Sequence, residues 1–520
     1  MKNQLRLLAI ILLALAASTV AARTSLPIEA EPPINSEALG AESVGHESLL
    51  GPNYSAQTIA PVVQTDPVGS PSMQMLLRWN AAAIDASGLD HTPLQPGEFR
   101  VFGEQLGPAR ASRAMAIVHI AMFEAINAID QHYASYAGIA VANPSASMDA
   151  AIVQSAHDTL VALFPSQRAK LDRRMFFDVR RVRDSTARTL GIELGAHTAQ
   201  AILAMRANDG SAHAEMRMDQ DYVPSTMPGI WRQDPISQIP LALGARWQEV
   251  RPFVIASAQQ FRIPPPPAMG SAQYTAAFNE VKSLGGDGIT TPTQRTPEQT
   301  EIGIYWAYDG TPSLCAPPRL YNQIARLIAA KMGSNLLDTA RLLALVNTAM
   351  ADAGLASWES KYHYSFWRPI GGLREADVGT GPSGLGDNNP DTHGDATFKP
   401  LGAPASNLNG PNFTPPFPAY PSGHATFGGA LFHTLRLFYG RDDIPFTFVS
   451  DEFTGATIGN DGLTRPLLPR SFTTLSQAEE ENGQSRIYLG IHWSFDKSAG
   501  ITQGRQIAEY IYQRAFQPLP

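Results

Sequence analysis

At 520 residues, with 44% apolar and 17% charged residues, the chain is long enough for several domain-sized cores and has the make-up of a folded protein. Its net charge of −8 argues against nonspecific nucleic-acid binding as a main role, and it makes any local gathering of Arg and Lys a sign of a local anion. The single cysteine, Cys315, rules out an internal disulfide; set in Leu-Cys-Ala-Pro-Pro with no adjacent His, it reads as a small buried hydrophobe.

The N-terminus reads as an export signal over residues 1–22. Lys2 and Arg6 give a positive start, Leu7 to Val20 is a short apolar run, and Val20-Ala21-Ala22 ends it with small residues. The run is shorter than the roughly 20 residues needed to span a bilayer. No later stretch is read as a span, so no stable membrane span is expected after signal removal, and the protein is expected to be exported. Residues 23–70, rich in Pro, Ser, Gly and Glu, read as a disordered or extended arm.

From Met73 the apolar residues recur three and four apart. The spacing predicts helices over Met73–Ile84, Arg113–Ile129, Asp149–Phe164 and Ser185–Met205, the second apolar nearly all round and therefore central. Residues 207–270 are poorly periodic and carry the run Pro264–Pro267, a candidate boundary between two helical halves. Helices return over Pro297–Tyr308, Pro317–Met332 and Leu336–Trp358. A long irregular stretch, Val378–Tyr420, follows, and loops of that length are usually functional or disordered. Ser422–Tyr439, Gln477–Tyr488 and Lys497–Phe516 read as the last helices. Strand signals are sparse, so the fold class is all-α.

Three short segments carry the chemistry. In the first, Lys361 and Arg368 lie seven apart among Tyr362, Tyr364, Phe366 and Trp367, and Pro369 disfavours helix at Arg368, placing it at a helix end with its fork free for an anion. In the second, Pro421-Ser422-Gly423-His424 opens an apolar helix. Ser422 is a good N-cap, Gly423 lets the backbone approach a ligand, and His424 falls in the first turn beside the free N–H groups. In the third, Arg486 precedes His492, and Asp496, four residues further on, is spaced to orient the imidazole. Three cations, a helix start and two histidines suit an oxyanion with acid/base chemistry beside it.

Together these segments resemble the signature shared by the acid phosphatases and vanadium-dependent haloperoxidases: Lys, six residues, Arg-Pro; then Pro-Ser-Gly-His; then Ser-Arg, five residues, His, three residues, Asp. Lys361, Arg368, Pro369, Pro421 to His424, Ser485, Arg486, His492 and Asp496 meet every position. The flanks Ala351–Lys361, Pro415–Gly429, and Tyr305–Gly310 followed by Pro317–Gln323 resemble the chloroperoxidase branch. The resemblance is clear over residues 290–515, weaker over 70–290 and absent before. It implies two four-helix bundles, an N-terminal helical half over 71–290 and a C-terminal catalytic bundle over 291–520 that carries a vanadate site.

Carried over residue by residue, the resemblance implies that His492 binds vanadium. Lys361, Arg368 and Arg486 neutralise the vanadate oxygens with Ser422 and the Gly423 N–H. His424 is the acid/base group, Asp309 holds an active-site Arg, Asp496 backs His492, and Trp358 and Phe417 line the halide side. The implied cofactor is vanadate, with no haem, and the implied reactants are hydrogen peroxide, a halide and an organic acceptor. The implied reaction oxidises chloride or bromide to hypohalous acid. The alternative on the same residues is phosphomonoester hydrolysis through a phosphohistidine at His492, with His424 as acid. A third reading, a non-catalytic oxyanion-binding protein, leaves His424 and the His492–Asp496 pair unexplained.

Overall fold

The structure, a computed structural model, describes residues 49–57 and 70–520. The expected export signal and most of the expected arm lie outside them. The described part of the arm, residues 49–57, is docked. Ser55–Ala56 (β1) pairs antiparallel with Leu408–Asn409 (β4), Tyr54 is buried with its hydroxyl 3.0 Å from the Pro411 carbonyl, and the Asn53 amide donates to Ile236 O and Ser237 O.

The fold is rich in helix. In the N-terminal half, α1 is Pro71–Asp90, α2 Gly107–Ile129, α3 Met148–Leu163, α4 Arg168–Val179 and α5 Ser185–Arg206; α6 is Ala272–Leu284. Their starts follow the capping chemistry of the sequence: the Ser70 and Ser147 side chains accept from the backbone N–H groups of Met73 and Ala150, and Asp184 from Thr186 and Ala187. Helix α2 is long and apolar enough to cross a bilayer, which corrects the sequence expectation that nothing beyond the N-terminus is; here 89% of its apolar window is buried inside the fold, as a central helix requires.

Beyond residue 290 come α7 (Pro297–Tyr305), α8 (Pro317–Met332), α9 (Leu336–Tyr364), α10 (Pro369–Arg374), α11 (Gly423–Tyr439), α12 (Leu475–Tyr488) and α13 (Ser494–Tyr512). The sequence reading missed α4, α6 and α10. It also missed the antiparallel hairpin Phe446–Thr454 (β5) with Leu467–Phe472 (β6). The remaining sheet pairs Met216–Arg217 (β2) with Leu241–Ala242 (β3).

Helix α9 organises the rest. Asn335 caps it, it is buried from Thr339 through Lys361, and Ser365 ends it in the left-handed region at φ 46°, its N–H 2.8 Å from Lys361 O. The sequence pattern stopped this helix at Trp358, because Lys361, Tyr362 and His363 break the apolar periodicity; burial of Lys361 explains why the helix continues. Asp352, at its centre, accepts from the backbone N–H groups of Phe253, Val254 and Ile255 at 2.7, 2.8 and 3.0 Å, which fastens the aperiodic 207–270 stretch to the core. Burial raises the Asp352 carboxyl to about 6 against those three donors.

Helices α11 and α13 meet through glycine. A Cβ on Gly500 would lie 2.7 Å from Ser422 O, one on Gly429 2.7 Å from Ile501 O, and one on Gly504 would overlap Thr426 O. The close approach sets the start of α11 against the start of α13, where the Ser422 N–H donates to Asp496 O at 3.0 Å. Gly504→Ala is therefore expected to cost about 1–3 kcal/mol of stability through overpacking, read as a lower urea midpoint at unchanged slope. An unchanged midpoint would mean that the two helices re-space freely.

Candidate functional site

Five helices bring the three sequence segments together. Lys361 sits in the last turns of α9, Arg368 caps α10, Ser422 caps α11 with His424 in its first turn, and Arg486 ends α12, with His492 in the link to α13 and Asp496 in that helix's first turn. All are buried. Lys361 and Arg368 do not share a helix: the chain leaves α9 at Ser365 and Arg368 is extended at φ −76°, ψ 157°, as the following proline dictates.

The cations differ in how far they are satisfied. The Lys361 ammonium donates to Pro418 O at 2.9 Å, Ala419 O at 3.0 Å and Pro421 O, so its three protons all have acceptors. It also lies 5.1 Å from the ring centre of Phe417 and 5.6 Å from that of Trp358. Burial, and then the Arg368 charge, pushes its pKa well below the usual range. Arg368 donates from Nε to Phe417 O (2.9 Å) and from Nη1 to Ile491 O (2.9 Å) and His492 Nε2 (2.8 Å), while its Nη2 is buried without a partner. Burial lowers Arg368 to about 9, with Asp496 opposing and Arg486 adding to the shift. Arg486 donates from Nη2 to Asp309 Oδ1 at 2.5 Å, and its Nε and Nη1 are buried without partners.

The histidines are neutral. His492 Nδ1 is 2.8 Å from Asp496 Oδ2, which also accepts from the Trp493 N–H at 3.0 Å, and Arg368 donates to His492 Nε2. The proton therefore sits on Nδ1 and the lone pair on Nε2. Burial first, then the charges of Arg368, Lys361 and Arg486, pushes the ring well below its ordinary range, and burial raises the Asp496 carboxyl to about 7. His424 donates from Nε2 to Ala307 O, leaving its lone pair on Nδ1; burial and then Arg486 lower its pKa in the same way. Asp309, raised by burial and lowered by Arg486, keeps a buried, partnerless Oδ2.

A cavity of about 70 Å³ opens onto Asp309, Trp358, Phe417, Gly423, His424, Arg486 and His492. That is room for several water-sized molecules. Lys361, Arg368, Ser422 and Asp496 stand behind this lining. Ser422 Oγ is 3.4 Å from the Ala425 N–H it caps. Trp358 and Phe417 pack at 4.9 Å between ring centres, and Trp358 Nε1 is fixed on Leu243 O at 3.0 Å. A Cβ on Gly423 would come within 3.3 Å of the Trp358 ring, which is where the missing side chain makes room.

Sequence reading missed the outer wall. Leu49, Leu50 and Tyr54 of the docked arm line the cavity, as do Leu106, Ile239 and Phe413. So does His91, which bonds Ser87 O at 2.8 Å through Nδ1 and accepts from the Gly107 N–H at 2.9 Å through Nε2. Tyr321 and Asn482 were also missed; the Asn482 amide donates to His424 O at 3.0 Å, and the Tyr321 hydroxyl lies 3.0 Å from the same carbonyl. No motif marks these residues: Leu49, Leu50, Tyr54, His91, Leu106 and Ile239 arrive from remote parts of the chain, and Asn482, four residues before Arg486 on α12, belongs to no signature position.

Three cations face only two carboxylates here, Asp309 and Asp496, and three guanidinium nitrogens lack acceptors. Each unsatisfied buried donor costs about 1–3 kcal/mol, more when charged. A tetrahedral oxyanion supplies both the charge and the acceptors, so the residues present fit vanadate or phosphate, with the lone pair of His492 Nε2 as the nitrogen donor.

Residues 341–519 match the family model for the second helical-bundle domain of VCPO. Vanadium chloroperoxidase of Curvularia inaequalis is 39% identical over 279 residues, which is 46% of this chain and 44% of that protein, so the match spans less than half of the relative's length. Among solved structures, a bacterial vanadium-dependent iodoperoxidase, described as the first, superposes with a TM-score of 0.66 at 24% identity over 88% of this chain and 99% of that one. The apo form of a bacterial vanadium-dependent chloroperoxidase gives 0.58 at 15% identity over 80% and 96%. These structures share the fold.

If the free guanidinium donors hold an oxyanion, saturating phosphate or vanadate raises the melting temperature: a ligand at about 100 times its Kd adds roughly 2.7 kcal/mol. Arg486→Lys keeps a charge but loses the planar fork, and is expected to weaken that binding about tenfold. An undiminished thermal shift in Arg486→Lys would show that the anion is held elsewhere.

Proposed function

We propose, starting from its homology with vanadium chloroperoxidase, that this chain is a vanadium-dependent haloperoxidase, oxidising a halide with hydrogen peroxide to hypohalous acid that then reacts with an organic acceptor. The observation that carries the reading is the pairing of partnerless buried guanidinium donors with an imidazole whose lone pair is held on Nε2. In this reading His492 Nε2 binds vanadium, and Arg368 Nη1, which holds that lone pair in the structure, gives it up. Arg368 and Arg486 hold the oxyanion's oxygens through their free N–H groups, and the Gly423 N–H and Ser422 complete the cradle at the start of α11, where a helix N-terminus favours an anion.

Helices α1, α2, α3 and α5 form one bundle in this account, and α9, α11, α12 and α13 a second that carries the site.

Bound vanadate supplies Lewis acidity that makes peroxide oxygen electrophilic toward a halide. The chain's residues do the rest. Asp496 fixes the His492 tautomer through Nδ1. Asp309 aims Arg486 and offsets its charge. Lys361 acts as a fixed positive charge behind Phe417 and gives up one of its three carbonyl partners to reach an oxygen. His424, kept neutral by burial and by the surrounding cations, takes the proton of incoming peroxide on Nδ1 and returns it to the departing oxygen. Trp358 and Phe417 offer the halide a dry, apolar wall rimmed by cation charge, which supports chloride as well as bromide as the substrate. Export suits such an enzyme, since its product attacks thiols.

The test is peroxide-dependent halogenation of a dye acceptor, with chloride and with bromide, beside a phosphatase assay without vanadate. The parent is expected to halogenate only when vanadate is present. His424→Ala is expected to keep vanadate and lose about 10²–10⁴-fold of halide turnover. Phosphatase turnover with no halide oxidation would replace this reading by phosphoryl transfer through His492.

A further inference from the structure

We propose that the solvent face of α4 (Arg168–Val179) is a docking surface for an anionic phospholipid bilayer. The helix and the four residues after it are basic far beyond the rest of the chain. Between Arg168 and Arg183 there are seven cations and two carboxylates, in a protein of net charge −8. Both carboxylates already serve the fold. Asp172 is bonded to His157 Nε2 at 2.7 Å, and buried Asp178 pairs with Arg78 at 3.2 Å and Arg181 at 3.5 Å. No ion pair engages Arg168, Lys170, Arg173 or Arg183 among the described residues, so their charge faces outward.

Two aromatic side chains stand in the middle of this charge. Phe176 is 54% exposed and its neighbour Phe177 62%, although apolar groups of that size normally turn inward. The helix has its inward anchors in place: Leu171 and Val179 are buried and Met175 packs against the core. At roughly 100° per residue, Lys170, Arg173, Phe176, Phe177 and Arg180 fall within about 120° of arc on the opposite side. Cations ringing an exposed aromatic pair on one helix face form the pattern of an interfacial helix: rings enter the headgroup boundary while Arg and Lys meet lipid phosphates.

The ring geometry favours a bilayer over a nucleic acid. Phe176 and Phe177 pack edge to face, 5.4 Å apart at 80°, and the Arg180 guanidinium covers Phe176 at 4.8 Å. Arg180 covers one face of Phe176 and the edge-to-face contact takes one more ring face of the pair, which reduces the flat surface for stacking bases, whereas insertion among acyl chains asks only for exposed apolar area. The surface lies on the N-terminal half and uses none of the residues around the oxyanion pocket, so this proposal stands apart from the haloperoxidase reading.

The experiment is co-sedimentation of the full chain with vesicles of phosphatidylcholine alone and of phosphatidylcholine mixed with phosphatidylglycerol. The parent is compared with Phe176→Ser/Phe177→Ser and Arg173→Glu/Arg180→Glu. The parent is expected to bind the anionic vesicles in preference to the neutral ones and to lose that preference at high salt. Each double variant is expected to partition about tenfold or more weakly while keeping the parental melting temperature. Three results would overturn the proposal: anionic binding that neither variant weakens; retention on heparin or DNA without vesicle binding; or a dimer in sedimentation velocity that Phe176→Ser/Phe177→Ser dissolves, with no vesicle binding, which would make the face a contact between copies.

Discussion

Three cations withdrawn from water, facing two carboxylates, are the constraint on which the site is built. Burying an ion without its partner costs several kcal/mol, so the surrounding backbone is arranged to limit that cost. Lys361 is met by three carbonyls from Pro418, Ala419 and Pro421, Arg368 by those of Phe417 and Ile491, and Arg486 by Asp309. The irregular 378–420 stretch thereby has a physical role: carbonyls free to turn toward an ammonium are not available from a helix, whose C=O groups are engaged along its axis. The cation nitrogens left unmet are Arg368 Nη2 and Arg486 Nε and Nη1, beside the unmet carboxylate oxygens Asp309 Oδ2 and Asp496 Oδ1.

The same field sets the protonation of the two histidines. Burial and three nearby cations disfavour imidazolium, so His424 and His492 each keep a lone pair where an ordinary surface histidine would be partly charged near pH 6.5. Hydrogen bonds then decide which nitrogen carries it: Asp496 takes the His492 Nδ1 proton, and Ala307 O takes the His424 Nε2 proton. A bound oxyanion would relax that pressure by offsetting the cations, so anion binding and histidine basicity are coupled.

Much of this was legible in the sequence. The motif residues Lys361, Arg368, Ser422, Gly423, His424, Arg486, His492 and Asp496 do converge, and the pattern of apolar residues found the helices that bear most of them. The ends went astray where burial is polar. Helix α9 runs six residues beyond the apolar pattern, to Tyr364, because its last turns bury Lys361 and Ser360 rather than Leu or Val. Helix α4 was missed because it is basic with only a narrow buried edge, and the β5–β6 hairpin because its partners are joined through a loop with an irregular register. The cavity's outer wall was invisible for a different reason. Leu49 and Tyr54 reach it through pairing with residues more than 300 positions away, which leaves no local signature.

The haloperoxidase proposal requires that His492 supply a nitrogen to an oxyanion caged by these cations. X-ray absorption at the vanadium edge, on the chain loaded with vanadate, reads that bond directly. The prediction is a coordination shell of oxygens with one imidazole nitrogen, and an all-oxygen shell in His492→Ala. A parent spectrum with oxygen neighbours alone, or identical spectra for parent and variant, would contradict it.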